Sequence, residues 1–459
     1  PVDIIGDAPG KRYAEALKIL LDDDAFDAIL VLNSPTAMTR PSEAARAVID
    51  TLAAEPAERL IGRNLLTSWL GERAAAPARR RFAEARIATY ETPDAAVRGF
   101  MHRVRYRRNQ ELLLETPAAR ADDFAPDADA ARAAIAPSLG AAPAWLEAEA
   151  VAALLGAYGI PQPQSRIAAD AEAAAAAASA IGFPVALKIR SPDITHKSDL
   201  GGVALNLGTA ERVRAEAAAM VARIGRAQPQ ARLDGFLVQE MVQRPGALEL
   251  IIGLIDDAVF GPVVLAGQGG IAVEQLNDTS LELPPLNAAL ATAQLARTRV
   301  WRLLQGYRGK PAADLAGIAA VLVRVAQLAA DHPEICELDI NPLLADATGV
   351  VAVDARIRVA TATKPGAARL AISPYPREFE SRATLRDGTA LLLRPIRPED
   401  EPALQDLAQH MNPEDLRLRF FTPIRALPHA LAARLSQIDY DREMALLARP
   451  EGGGTALGV

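Results

Sequence analysis

The sequence predicts a multidomain α/β protein: a small doubly wound unit, a longer α+β region, and the opening of a third α/β domain. Three observations carry this. At 459 residues the chain exceeds what one hydrophobic core supports, so two to four domains are expected. Short apolar runs alternate with amphipathic segments up to residue 116, the pattern of parallel strands linked by helices. A stretch rich in Ala, Asp and Pro without apolar periodicity then separates this region from the next.

In chain order, "DAILVL" (Asp27 to Leu32) and "LLTSW" (Leu65 to Trp69) read as buried parallel strands. "GKRYAEALKILLDD", "RPSEAARAVIDTLAA" and "TPDAAVRGFMHRVRYRRNQELLL" read as amphipathic helices between or after them. Residues 1–116 thus form a doubly wound unit, flavodoxin-like in size. Residues 117–143 read as a linker with one weak helix. A helix opens with "PAWLEAEAVAALLGAYGIP", and mixed α/β patterning fills 144–360. A second linker spans 361–376, and 377–459 gives a hairpin, a strand and a helix capped at Pro398 and Glu399. "EGGGTALG" reads as a turn between two strands.

Half the residues are apolar and 23% are charged, an ordinary globular composition. A net charge of -7 argues against a general nucleic-acid surface. The basic run Arg98 to Gln110 recurs at helical spacing and reads as a solvated helix face, with an anion patch as the alternative. The single cysteine, Cys336, excludes a disulfide framework and any multi-cysteine metal site. No run of 18 apolar residues and no charged-then-apolar leader is present, so neither a membrane nor a secretory route is expected, and the expected compartment is cytoplasmic. The chain opens on Pro and stops where a strand pattern starts, so it is expected to be a piece of something longer at both ends.

The middle region carries the chemistry. Lys188 is the one charged residue of the apolar strand "PVALKI"; it either pairs with an anion such as a nucleotide phosphate or snorkels from a strand edge. The loop after it, "SPDITHKSDLGGV", holds Ser198 and His196 and closes on Gly201 and Gly202. Its donors could wrap phosphate oxygens, and little in it would anchor to a core. "DGFLVQEMVQRPGALELIIGLI" reads as two strands joined by a short turn, with Glu240 ending the first and Glu249 starting the second. A carboxylate beside a free backbone edge, Glu240 to Val242, suits an adenine amino group and ribose hydroxyls; exposed acids flanking a hairpin are the alternative. "ELDINPLLADATGVVAVDARI" reads as a second hairpin, with Asn341 and Asp354 on its paired arms. Oxygen donors from Asn and Asp on adjacent strands suit a Mg²⁺–nucleotide. "VVLAGQGGIAVE" adds a glycine turn that either approaches a ligand or only bends the chain.

Together "YGIP", "FPVALKI", "SPDITHKSDLGGV", "FGPVVLAGQGG", "LPPLN" and "ELDINPLL" resemble the ATP-grasp portion of the NDP-forming acyl-CoA synthetases, relatives of succinyl-CoA synthetase. "PVDIIGDAPGKRY" and "VLNSPTAMTRPSEAARAV" resemble the end of the first ligase domains and the flavodoxin-like domain after them, so the resemblance covers 1–359. It implies that Lys188 holds nucleotide phosphates and that Glu240, with the backbone of Met241 and Val242, reads adenine. It further implies a ribose contact at Glu249, magnesium ligands at Asn341 and Asp354, and a phosphate relay at His196. Ser34 and Thr36, at the carboxyl end of the strand "AILVL", are phosphate-loop candidates with Ser198, Gly201 and Gly202. The partners implied are Mg²⁺, ATP/ADP or GTP/GDP, coenzyme A or acetyl-CoA, a small carboxylic acid, and further copies of the chain.

"TLRDGTALLLRPIRPEDEPALQDL" resembles the first strand and helix of GNAT acetyltransferases, and such fusions include bacterial protein lysine acetyltransferases. Two functions are therefore expected. One is an acid–CoA ligase with a phosphohistidine relay, fused to an acetyltransferase. The other is a lysine acetyltransferase whose ligase half only senses ligands. The remaining histidines, His102, His332, His410 and His429, lie on or near helical segments without partner spacing and are assigned no function.

Overall fold

A computed structural model describes residues 1–36, 38–60, 62–118, 124–194, 200–270, 277–362, 364–421 and 424–459, without the side chains of residues 58 and 367. The chain divides into two units, Pro1–Leu113 and Leu114–Val459.

In the first unit α1 (Gly10–Asp22), β1 (Ala28–Asn33), α2 (Pro41–Ala54), β2 (Asn64–Trp69), α3 (Glu72–Glu84), β3 (Ala88–Tyr90) and α4 (Pro93–Leu113) succeed one another. The strands run parallel in the order β1-β2-β3. Trp69 anchors the core. It is fully buried, meets the Phe82 ring edge-on at 4.6 Å, and donates its indole N–H to the Pro41 carbonyl at 3.0 Å. Apolar spacing on α1, α2 and α3 brings Leu17, Leu21, Val48 and Ala78 onto the same core. The order reversal that defines a doubly wound sheet is not found among the described residues. The basic run sits on α4, whose buried residue is Ala96; Arg98 and Arg107 pair at i,i+4 with Asp94 and Glu111, as a solvated face does.

The second unit opens with α5 (Ala128–Ile135), β4 (Ala144–Trp145), α6 (Ala148–Ala157) and β5 (Ser165–Ala168). It continues with α7 (Ala171–Ile181), β6 (Val185–Ile189), β7 (Val203–Leu207), α8 (Ala210–Ala227) and β8 (Phe236–Glu240). Then come β9 (Leu248–Asp257), β10 (Gly261–Gln268), β11 (Thr279–Glu282), α9 (Ala288–Ala296), α10 (Leu315–Asp331), β12 (Ile335–Asp346), β13 (Gly349–Ala352) and β14 (Ala355–Val359). Two antiparallel sheets result, one ordered β5-β8-β6-β7, the other β11-β10-β9-β12-β14-β4 with β13 paired to β12. Each has its own core. Val185, Leu187, Ile189 and Val238 pack with the alanine face of α7 and with Val213, Met220 and Ile224 of α8. Leu250, Ile252, Leu338 and Ile340 pack with α6 and the apolar helix α10.

Four expectations need correction. β8 and β9 are not a hairpin: they lie in different sheets, so the connection 241–247 crosses between them. The backbone edge at its start is not free, because the Glu240 amide donates to Gln164 O at 2.8 Å and the Met241 amide to Pro184 O at 3.2 Å. The stretch 117–143 is more than a linker: α5 buries Ala131, Ala134 and Ile135 in the larger core. The stretch 361–376 is also tied down. The Arg369 guanidinium donates to the carbonyls of Ala329, Pro333 and Ile335 at 3.0–3.1 Å, and Tyr375 is 3% exposed.

Beyond it, β15 (Ser381–Thr384), β16 (Ala390–Pro395) and β17 (Leu446–Pro450) form an antiparallel sheet, with helices Glu401–His410, Pro413–Phe420 and His429–Ser436 between the last two strands. After β17 the chain turns back, and Leu457 N donates to Ala448 O at 2.8 Å, the turn expected of "EGGGTALG". Burial and a hydrogen bond to Glu380 push the Tyr375 hydroxyl up to about 12. Arg394 at the end of β16 is buried and bidentate to Asp400, both contacts 2.7 Å. Removing one partner strands a buried charge. Asp400→Ala is expected to cost about 3 kcal/mol and to lower hydrogen-exchange protection across β16 and β17. Unchanged protection would show that the pair does not hold this sheet.

Candidate functional site

The two sheets meet at Lys188. Along β6 the residues Val185, Leu187 and Ile189 enter the smaller core, so Ala186 and Lys188 face the other way. There Lys188, 9% exposed, places Nζ 3.3 Å from Asp354 Oδ1 and 3.4 Å from the Val353 carbonyl. Gln239 of β8, on the same face, donates to the same carbonyl at 3.3 Å. Lys188 does not snorkel from a strand edge: its ammonium is buried against a carboxylate on the opposite sheet.

Asp354 lies just before β14, and its backbone carbonyl accepts from the Asn341 amide at 3.1 Å, so the paired arms expected of "ELDINPLL…VDARI" do form. Asn341 Oδ1 in turn accepts from the Gly270 amide at 3.1 Å. Gly270 has φ +88°, and a Cβ there would collide with the Glu249 carboxylate. At Gly269 a Cβ would lie 2.5 Å from the Leu250 carbonyl. The glycine turn therefore lets the backbone close onto the start of β9. Lys188, Asp354, Asn341, Gly270 and Glu249 form one continuous set of contacts across both sheets.

Other candidates fall differently. Glu240 is exposed at the end of β8, where its carboxylate accepts from the Gln164 amide at 3.3 Å. Met241 and Val242 open the crossing, which Arg244 pins by donating to Gly349 O at 2.9 Å. Gly201 has φ +65° and its carbonyl accepts from Arg223 at 2.6 Å; the Gly202 carbonyl accepts from Ile189 N at 2.8 Å. Ile194 is buried in the smaller core and Leu200 packs on it, so the chain is anchored on both sides of 195–199, contrary to the expectation of a loop with little to hold it. His196 and Ser198 themselves lie outside the described residues. Ser34 and Thr36 belong to the first unit, exposed after β1, with Thr36 Oγ1 3.2 Å from Thr39 Oγ1.

Three residues at this face were not expected from the sequence. Gln239 is a polar residue inside "FLVQE". Asp339 shares a face of β12 with Glu337 because 338 and 340 turn into the core. Burial raises the Asp339 pKa, Arg356 opposes this, and Asp354 and Glu337 add to it. Arg356 stands directly across the ladder from Asp339. The i, i+2, i+4 alternation in "ELDIN" was the available signal.

A strongly placed cation beside oxygen donors suits a polyphosphate and a hard metal. Among the described residues no cluster of three or more His, Cys, Asp or Glu could hold a metal alone. One Asn carbonyl and one carboxylate, backbone-tied, fit Mg²⁺ that takes its other ligands from phosphates and water. Among the same residues, no helix is long and apolar enough to cross a membrane.

Residues 139–359 match the ATP-grasp domain family, so this part of the chain is an ATP-grasp domain. The ADP-forming acetate–CoA ligase I of Archaeoglobus fulgidus is 35% identical over 359 residues, 78% of this chain and 49% of that enzyme. The β subunit of the ADP-forming acetate–CoA ligase I of Pyrococcus furiosus is 38% identical over 204 residues, 44% of this chain and 87% of the subunit. Among solved structures, the dinucleotide-forming acetyl-coenzyme A synthetase 1 of Ca. Korarchaeum cryptofilum, in complex with coenzyme A, Ca-AMPCP and HgCl+, is 39% identical with a TM-score of 0.45, covering 47% of this chain and 93% of that one. The chain belongs to the ADP-forming acyl-CoA ligases, enzymes of the acid–CoA ligase (NDP-forming) type. It spans about half the length of the first two curated relatives, 49% and 48%.

The Lys188–Asp354 pair is asymmetric, since the Asp354 side chain is 49% exposed and Lys188 is buried. Asp354→Ala, which leaves the buried ammonium without its carboxylate, is expected to cost about 1–2 kcal/mol after allowance for solvent screening. Lys188→Met, which replaces the cation with an apolar chain, is expected to leave Tm unchanged or raised. Thermal unfolding of both variants checks this, and an equal loss in the two would overturn it.

Proposed function

We propose that the chain carries the nucleotide-handling part of an NDP-forming acyl-CoA synthetase, with residues 144–360 binding ATP/ADP, or GTP/GDP, together with Mg²⁺. The observation behind this reading is the contact set Lys188–Asp354–Asn341–Gly270–Glu249, which puts a cation, oxygen donors and a close-approaching glycine backbone where two sheets meet. Lys188 pairs with phosphate oxygens. Asn341 and Asp354 hold the Mg²⁺, which supplies charge neutralisation on the phosphates when bound. Glu249 faces the ribose. Adenine lies against Glu240 and the backbone of Met241 and Val242; the Met241 amide is already spent on Pro184, so its carbonyl and Val242 carry that contact.

His196 comes eight positions after Lys188 and relays a phosphoryl group to or from the nucleotide. A neutral imidazole nitrogen is nucleophilic near neutral pH without a separate base. Gly201, Gly202 and Ser198 flank it in sequence, and Ser34 and Thr36 are phosphate-binding candidates within the first unit. The substrates are coenzyme A and a small carboxylic acid, acetate being the acid in the relatives' names. Assembly into homo-oligomers and a cytoplasmic location belong to the same reading. For the GNAT acetyltransferase and its protein lysine substrates, the support is the order of hairpin, helices and returning strand over 381–450.

Asn341→Ala and Asp354→Ala are each expected to weaken Mg²⁺-dependent ATP and ADP binding about tenfold or more, while binding in EDTA changes little. Titration calorimetry of the full chain measures this. Nucleotide affinity that ignores both substitutions and EDTA sinks the metal assignment, and the absence of any nucleotide binding by the unsubstituted chain sinks the whole reading.

A further inference from the structure

One arginine near the meeting of the sheets differs from its neighbours in its hydrogen bonding. On β14 the side chains of Ile357 and Val359 enter the larger core, so Arg356 and Arg358 lie on the opposite face with Asp354. Across the ladder Arg356 stands opposite Asp339, with Glu337 paired to Arg358. The neighbouring arginines are all engaged. Arg358 is 2.9 Å from Glu337 and lies over the Trp145 ring at 5.7 Å. Arg190 donates to Glu147 at 3.2 Å and to Asp234 O at 3.3 Å. Arg244 donates to Gly349 O. Arg356, half-buried, makes no hydrogen bond and no close ion pair with any described residue. Among the described residues its electrostatic partner is Asp339, directly across the ladder.

We infer that Arg356 binds the terminal phosphoryl group of a nucleoside triphosphate. This rests on the nucleotide reading above and adds a residue to it. Arg356 lies two positions past Asp354 on one strand face, about 7 Å along, and so beyond the metal–phosphate end and away from the crossing 241–247 that holds the base. A guanidinium with unspent N–H groups matches the fork of two phosphate oxygens, and it costs little to hold there because its strand is fixed by the ladder. Lys188 and Arg356 then approach the polyphosphate from different sheets. A diphosphate, lacking the terminal group, does not reach Arg356.

The test is the ratio of affinities for Mg-ADP and for a non-hydrolysable Mg-ATP analogue, by titration calorimetry on the full chain. Arg356→Gln is expected to weaken the triphosphate about tenfold and the diphosphate by less than about twofold, with Arg356→Lys recovering part of the loss. Arg358→Gln, on the same face but paired, is expected to change the ratio little. Equal loss for both nucleotides, or no loss for either, overturns the assignment. Binding of neither nucleotide by the unsubstituted chain overturns it through the nucleotide reading instead. Unchanged thermal unfolding of Arg356→Gln shows that a loss reflects the missing guanidinium and not the fold.

Discussion

The second unit turns on one contact, the Lys188 ammonium against the Asp354 carboxylate. A lysine inside an apolar strand is costly to desolvate, and attraction to a half-exposed carboxylate only partly offsets that cost. The pair is therefore a poor device for stability and a good one for placement. It holds the cation at the line where two separately cored sheets meet, and it holds Asp354 on the arm paired with the one that carries Asn341. Everything else at the site is arranged around that line.

The contact also limits what can occupy the site. Asp354 cannot give its oxygen fully to the ammonium and to a divalent cation at once. On the proposed function, a metal entering at Asp354 weakens the hold on Lys188 just as phosphate arrives to take its place. The Val353 carbonyl, shared between Lys188 and Gln239, keeps the lysine stem in the cleft meanwhile. The glycine turn works from the other side. With no side chains at 269 and 270, its backbone closes on Glu249 and Asn341.

Much of this was legible in the residues. A lone charge in "PVALKI" marks Lys188, and paired apolar arms are enough to place Asn341 beside Asp354. The order of motifs pointed to the acyl-CoA synthetases, and the ATP-grasp match and the acetate–CoA ligase relatives agree. What was missed has physical reasons. Alternation shows that β8 and β9 are strands but not which sheet each joins, and a short connection fits a hairpin as well as a crossing. The segments 117–143 and 361–376 pack mainly through alanines, with Phe124, Ile135, one arginine and one tyrosine spaced too sparsely to give the apolar rhythm that marks a core element. Asp339 and Arg356 occupy the polar face of a half-buried ladder, which in sequence looks like an ordinary solvated face. The doubly wound order expected of the first unit needs strand pairing, which periodicity does not encode.

The crossing 241–247 decides how the ion pair should be understood. Its first amide is bound to Pro184 in the smaller sheet, and Arg244 reaches Gly349 and Asp346 at the β12–β13 turn of the larger one. The sheets are thus joined by a covalent connection held at both ends, independently of Lys188. Loss of the lysine's charge would not by itself release one sheet from the other. The same connection bears Met241 and Val242 directly after Glu240, so on the proposed function the edge that reads the base and the joint between the sheets are one segment. On the proposed function, a nucleotide would contact the joint through its base and both sheets through its phosphates, and its length would set the spacing that Lys188, Asn341 and Asp354 must keep.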